Sequence, residues 1–122
     1  MNTFRTAVEG RDLVAMIDTL ADDVVFNSPV AFKPFEGRET VGKVLEAVFN
    51  TFEDFRYTDE LDGDDVHALV FRARVGDKQV EGIDLLRLND DGQIADFTVL
   101  VRPASGLMAL AEAMGPKVAG LK

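Results

Sequence analysis

The chain reads as an α+β domain in which helices lie against one face of a strongly curved antiparallel sheet. Two periodicities and one spacing carry that expectation. Apolar residues recur at helical intervals through the first half and at every second position from residue 55 onward, the marks of amphipathic helices and of half-buried strands. The strand-like runs are joined by turns too short for a crossover, so neighbours are expected to pair antiparallel. With no repeat, linker or low-complexity stretch, residues 1–122 are read as one domain.

Residues 3 to 9 are read as a short first helix, interrupted at Gly10. Asp12 is a candidate N-cap for a second, whose Leu13, Met16, Ile17 and Leu20 fall at i, i+3, i+4 and i+7, with Asp22-Asp23 closing it. Val24 to Ser28 has the β-branched and aromatic content of a strand, ended by Pro29. Residues 29 to 37 form a loop with two prolines and two phenylalanines, and its phenylalanines are expected to turn inward. Glu39 and Thr40 open the clearest helix, with Val41, Val44, Leu45, Val48, Phe49 and Phe52 on one stripe.

Four strands follow, Phe55 to Leu61, Val66 to Val75, Val80 to Leu88 and Ile94 to Arg102, separated by Asp62-Gly63-Asp64-Asp65, Gly76-Asp77 and Asn89-Asp90-Asp91-Gly92. In the last strand Ala95, Phe97, Val99 and Val101 share one face, and Ile94, Asp96, Thr98, Leu100 and Arg102 the other. Ser105 is a candidate cap for a terminal helix that carries Leu107, Leu110, Ala111 and Met114 and ends at Gly115-Pro116. With helices on one face of the sheet, Val70, Ile83, Leu85 and Leu100 stand on the other beside Arg72, Arg87 and Arg102. That mixture suits a subunit interface, so a homodimer is expected.

The chemical signal is Asp84. It sits in the third long strand in phase with Gly82 and Leu86, and a carboxylate among such neighbours is costly unless paired, hydrogen-bonded or protonated. Two readings stand side by side: a pocket acid able to give or take a proton, or a structural acid bonded to a neighbour such as Tyr57 or Arg74. His67 is the only histidine and is read as a packing or solvent residue at a strand end. No His or Cys spacing supports a metal site, and no cofactor is expected.

A net charge of −9 disfavours nucleic acid and an anionic membrane surface as partners. The absence of cysteine excludes a disulfide framework and a thiol nucleophile. The N-terminus lacks the apolar run of a signal peptide, and there are nowhere about 18 consecutive apolar residues, so a cytoplasmic location is the default.

The segments L-A-D-D-V-V-F at 20 to 26, F-E-G-R-E-T-V at 35 to 41 and G-I-D-L-L-R-L-N-D-D-G-Q-I at 82 to 94, in this order of elements, resemble the nuclear transport factor 2-like superfamily. That is the cone-shaped, cystatin-like fold of ketosteroid isomerases, limonene epoxide hydrolases and SnoaL-like polyketide cyclases. The resemblance implies an apolar pocket between the concave sheet and the helices, a small apolar ligand within it, and dimerisation through the outer sheet face. From the first half it implies Phe4, Met16, Phe26, Ser28, Phe35, Val48 and Phe52 as ligand-binding residues. From the sheet it implies Phe71, Leu86, Phe97, Val99 and Val101.

Ketosteroid isomerases use a carboxylate base with an oxyanion hole of a tyrosine and a protonated aspartic acid. Asp84 matches the protonated acid, whereas the base position is Ser28 and the tyrosine position Phe4. A serine hydroxyl does not replace a carboxylate base, so a typical steroid isomerisation is not expected. Ser28 lies in no G-x-S-x-G elbow. The aspartate–arginine–aspartate set of the epoxide hydrolases is also missing, since Arg72 and Arg74 face no acid in the matching positions and Val99 stands where the second aspartate would be. Two functional readings follow: an isomerase, lyase or cyclase with Asp84 as proton donor or acceptor, and a non-catalytic ligand-binding or dimeric association module.

Overall fold

The computed structural model describes residues 3–121, and their element order is four helices around one six-stranded sheet: α1 (Thr3–Glu9), α2 (Leu13–Asp18), β1 (Leu20–Asn27), β2 (Phe35–Glu36), α3 (Arg38–Thr51), β3 (Glu53–Asp62), β4 (Val66–Val75), β5 (Lys78–Leu88), β6 (Ile94–Arg102) and α4 (Ala104–Val118). The strand order is β2-β1-β6-β5-β4-β3. All neighbours pair antiparallel except β1 and β6, which run parallel. The sheet is therefore mixed, because the chain enters it at β1 and returns through α3 and four hairpin-linked strands, the last of which lies beside that first strand. Turn chemistry sets the hairpins: Gly76 and Gly92 adopt φ of 61° and 77°, and the Asn89 side chain accepts from the amides of Asp91 and Gln93.

Several boundaries differ from the sequence reading. Asp12 does cap α2, its carboxylate accepting from the Ala15 amide at 3.1 Å, but the helix stops at Asp18 and Leu20 already belongs to β1. Asp22 and Asp23 do not close a helix. They are consecutive exposed residues at a register shift between Leu20 and Val25, and such an irregularity conceals the strand's alternation. A second shift pairs Arg87 with Asp96 and Leu88 with Ile94. Ala95 is the extra residue there, so Ile94 is fully buried instead of sharing the outer face with Asp96.

At the C-terminal end, Pro103 rather than Ser105 occupies the N-cap of α4, and the helix continues through Pro116 to Val118. Pro116 lies in the last turn, where a missing N–H removes one bond, and Val118 packs against both apolar clusters beyond it. In the 29–37 loop Phe35 is half-buried in the short strand β2, while Phe32 at the tip is fully exposed. The expectation that both phenylalanines turn inward holds for Phe35 alone.

The core lies between the concave face of the sheet and the helices. Val41, Val44 and Leu45 of α3 face Leu20, Val24, Phe26, Leu69, Phe71, Leu86 and Phe97 of the strands in one apolar cluster. The Arg38 guanidinium donates to the Leu20 carbonyl at 3.0 Å, tying the start of α3 to β1. Gly82 is required by close packing: a Cβ there would lie 2.3 Å from Phe71 Cζ and 2.6 Å from the Leu100 carbonyl. On the outer face Leu100 is 53% exposed, Val70, Ile83 and Leu85 are half-buried, and Glu81 joins Arg72 and Arg102 at 3.2 Å each.

Candidate functional site

A cavity of about 400 Å³ opens between the concave sheet and the helices. Asp84 lies on its wall from the middle of β5, opposite Leu69 on β4 and Val99 on β6. Its residue is 6% exposed. Tyr57, from the edge strand β3, reaches across β4 and donates its hydroxyl to Asp84 Oδ2 at 3.1 Å. Of the two partners considered from sequence, Tyr57 is thus the real one. Arg74 is bound instead to Glu53 and Asp54 at 3.0 and 2.7 Å.

Oδ1 of Asp84 receives no protein hydrogen bond among the described residues, so one carboxyl oxygen is held and the other is available to the cavity. The apolar surroundings disfavour the charged form and push the Asp84 pKa up to about 7, against the opposing pull of the Tyr57 hydroxyl. Burial, followed by the neighbouring carboxylate, raises the Tyr57 phenol above its ordinary value, which keeps it a neutral donor.

Aromatic packing holds this pair in place. Phe55 meets Tyr57 edge-on at 5.0 Å and stacks on Phe71 at 4.8 Å. The Arg5 guanidinium lies over the Tyr57 ring, 5.6 Å from its centroid, and is anchored by Glu60 and Glu9 at 3.1 and 3.3 Å. At the other end Phe97 packs against Phe4 and Phe26, both at 5.2 Å. Leu110 and Met114 of α4 complete the enclosure, and Lys117 donates to the Thr51 hydroxyl at 2.6 Å, fastening α4 to α3.

Of the sequence-derived positions, Phe4, Phe26, Ser28, Phe35 and Val48 are on the cavity wall, as are Phe52, Phe97 and Val99. Met16, Phe71, Leu86 and Val101 are not. Met16, Phe71 and Leu86 are buried in the core, and Val101 packs half-buried against it. Phe71 shows why: Phe52 and Phe55 lie over its ring at 5.5 and 4.8 Å and come between it and the open space. Alternation assigns a face and is silent on such layering.

Ser28 reaches the cavity, but its hydroxyl accepts from the amides of Val30 and Ala31 at 3.3 and 3.1 Å and organises its own loop. His67 is buried with Nδ1 2.8 Å from Asp62 Oδ1 and is not on the cavity wall. Among the described residues no three His, Cys, Asp or Glu side chains converge as a metal site, and no helix is long and apolar enough to cross a membrane. Sequence reasoning missed Phe55, Arg11 and the α4 contribution. Phe55 was legible in its period-two spacing from Tyr57, whereas the docking of α4 has no local signature.

The family model of the SnoaL-like domain matches residues 2–97. Among solved structures, a steroid delta-isomerase from Pseudomonas aeruginosa is 43% identical with a TM-score of 0.90, over 95% of this chain and 86% of that one. An uncharacterised protein with a cystatin-like fold from Silicibacter pomeroyi is 35% identical with a TM-score of 0.91, over 97% and 84%. A SnoaL-like polyketide cyclase described from Shewanella denitrificans is 11% identical with a TM-score of 0.66 over 93% of each chain, a likeness of fold alone. No curated protein matches the chain.

The raised pKa of Asp84 has a consequence for stability. Between the ordinary value of 3.8 and about 7, the folded state keeps a proton that the unfolded state has released, so rising pH favours unfolding through this window. At about 1.4 kcal/mol per pH unit the full effect is on the order of 4 kcal/mol. Denaturant titrations of wild type and Asp84→Asn should therefore diverge as pH rises through the window, the variant becoming the more stable, and the gap should level off above about 7. Parallel stability curves would show that the carboxyl is not desolvated.

Proposed function

This chain belongs to the SnoaL-like domain family, and from that premise we propose that it binds a small, flat, apolar carbonyl compound and transfers a proton on it through Asp84. One observation carries the reading: a buried acid with a pKa near neutrality, held at one oxygen by Tyr57 and bordering an apolar cavity. Such a group is present in both protonation states around neutral pH, the condition in which one carboxyl can both give and take a proton. In its acid form it hydrogen-bonds and polarises a bound carbonyl oxygen. In its ionised form it accepts a proton from the carbon next to that carbonyl. Taking the proton from one carbon and returning it to another is an isomerisation that needs no other reactant. The 43% identity to a steroid delta-isomerase favours this class of reaction.

A second reading, a non-catalytic ligand-binding module, has its own support. Ser28 stands where the ketosteroid isomerases have a base, and its hydroxyl is occupied by its loop. Asp84 then polarises and orients a bound carbonyl without turnover.

In the same proposal the protein is a homodimer through the outer sheet face. Leu100, Ile83 and Val70 form an apolar centre there, bordered by the Arg72–Glu81–Arg102 network, an arrangement that suits an isologous contact.

Two measurements follow from these readings. Proton NMR of beta-tetralone, a bicyclic ketone, in deuterated buffer should show the protein accelerating exchange beside the carbonyl, with Asp84→Asn slower by about 100-fold or more. Binding without accelerated exchange by wild type selects the module reading, and unchanged exchange in the variant removes Asp84 from the chemistry. Sedimentation velocity should give a dimer for wild type and a monomer for Leu100→Arg, and a monomeric wild type would refute the interface.

A further inference from the structure

We infer that Arg5 is a positioning residue for the acid: its guanidinium, clamped over the Tyr57 ring, fixes that ring and strengthens the hydroxyl's bond to Asp84, and so sets the pH at which Asp84 exchanges its proton. Its importance for function rests on the proton-transfer reading of Asp84.

The placement begins with an irregularity in the edge strand. β3 pairs Tyr57 with Phe71 and Asp59 with Val70, so Thr58 is an extra residue between them. Without it Tyr57 and Glu60, three positions apart, would face opposite sides of the sheet. With it Glu60 pairs with Leu69 and comes to the concave face, in the row that continues to Asp84 and Val99. A carboxylate on that face needs a cation, and Arg5 supplies one from α1. Its Nη1 donates to Glu60 Oε1 at 3.1 Å and its Nε to Glu9 Oε2 at 3.3 Å. The Glu60 side chain is 19% exposed and that of Arg5 29%, so solvent screens the pair only in part.

Held by α1 and β3 together, the guanidinium lies over the Tyr57 ring, 5.6 Å from its centroid. Phe55 meets the same ring edge-on at 5.0 Å, and the hydroxyl reaches Asp84 at 3.1 Å. Charge adds to this fixing. A cation beside a phenol favours the phenolate and makes the O–H a stronger donor. Burial, Asp84 and Glu9 all raise the Tyr57 phenol, and Arg5 is the group that opposes them. The other elements bring no competing charge: among the described residues α3, α4, β1 and β6 present only apolar side chains to the cavity. Arg11 lies over Phe49 of α3, and Arg56, paired with Arg72 of β4, belongs to the outer face of the sheet. A stronger donor favours the ionised carboxyl, so Arg5 works through Tyr57 against the effect of burial on Asp84.

The test is the carbon NMR titration of the Asp84 carboxyl in wild type, Arg5→Gln, Tyr57→Phe and the double variant. Arg5→Gln should raise the midpoint above the wild-type value by about half a pH unit or more. Arg5→Lys should recover part of that shift, and Arg5→Gln should add nothing once Tyr57 is Phe. A midpoint that Arg5→Gln leaves unmoved, even as thermal stability falls, would make Arg5 a tie between α1 and β3 only and overturn the proposal. An equal shift in the Tyr57→Phe background overturns it too, because Arg5 would then act on Asp84 directly. Glu60→Gln, which loosens one anchor and keeps the cation, should shift the midpoint the same way by less. Should Arg5→Gln fail to fold, an unmoved midpoint in Glu60→Gln counts equally against the proposal. The titration needs no turnover, so the proton-transfer reading is judged apart from it. The pH profile of beta-tetralone exchange should move with the midpoint in Arg5→Gln, and a shifted midpoint with no accelerated exchange leaves the positioning role standing and removes the proton transfer.

Discussion

The structure depends on one constraint: a carboxyl group stands among apolar side chains, 6% exposed, with a single protein hydroxyl to support it. Asp84 would be expensive to bury as an ion, and the Tyr57 hydroxyl offsets only part of that cost, which is why its pKa settles near 7 rather than near 4. Everything that shapes the cavity acts on this balance. A wetter wall would return the group to an ordinary surface acid, and a second donor or a nearby cation would hold it ionised.

The fold creates these apolar surroundings by curvature. Tyr57 and Asp84 stand on strands separated by β4, and their side chains meet because the sheet bends around the helices. Gly82 allows Phe71 to lie close beneath its strand, Phe55 and Phe52 cover Phe71, and Tyr57 rests against Phe55. From the opposite side α3 and α4, linked through Thr51 and Lys117, close the space with Leu45, Leu110 and Met114.

The sequence made the acid visible and most of its surroundings indistinct. Asp84 stood out because period-two alternation put it in phase with Gly82 and Leu86 on a face with no other reason to hold a carboxylate. The helical stripe of α3 and the four long strands were legible for the same reason, since each repeats its signal over many residues. Short or irregular features were not. The bulged start of β1 hid behind Asp22-Asp23, and Ala95 reversed the facing of Ile94. The relation of Tyr57 to Asp84 was one of two options until register and curvature chose it over Arg74. Met16, Phe71 and Leu86 had the right face and the wrong depth, because depth is decided by which neighbouring side chain lies on top.

The most direct test of this account is the titration of the Asp84 carboxyl carbon by NMR in the wild-type protein and in Tyr57→Phe. The account predicts a midpoint near 7 in wild type, and a higher one in the variant, because the lost hydroxyl favours the ionised form. A wild-type midpoint at or below the ordinary value of 3.8, unmoved by loss of the hydroxyl, would mean a solvated carboxylate and would contradict it.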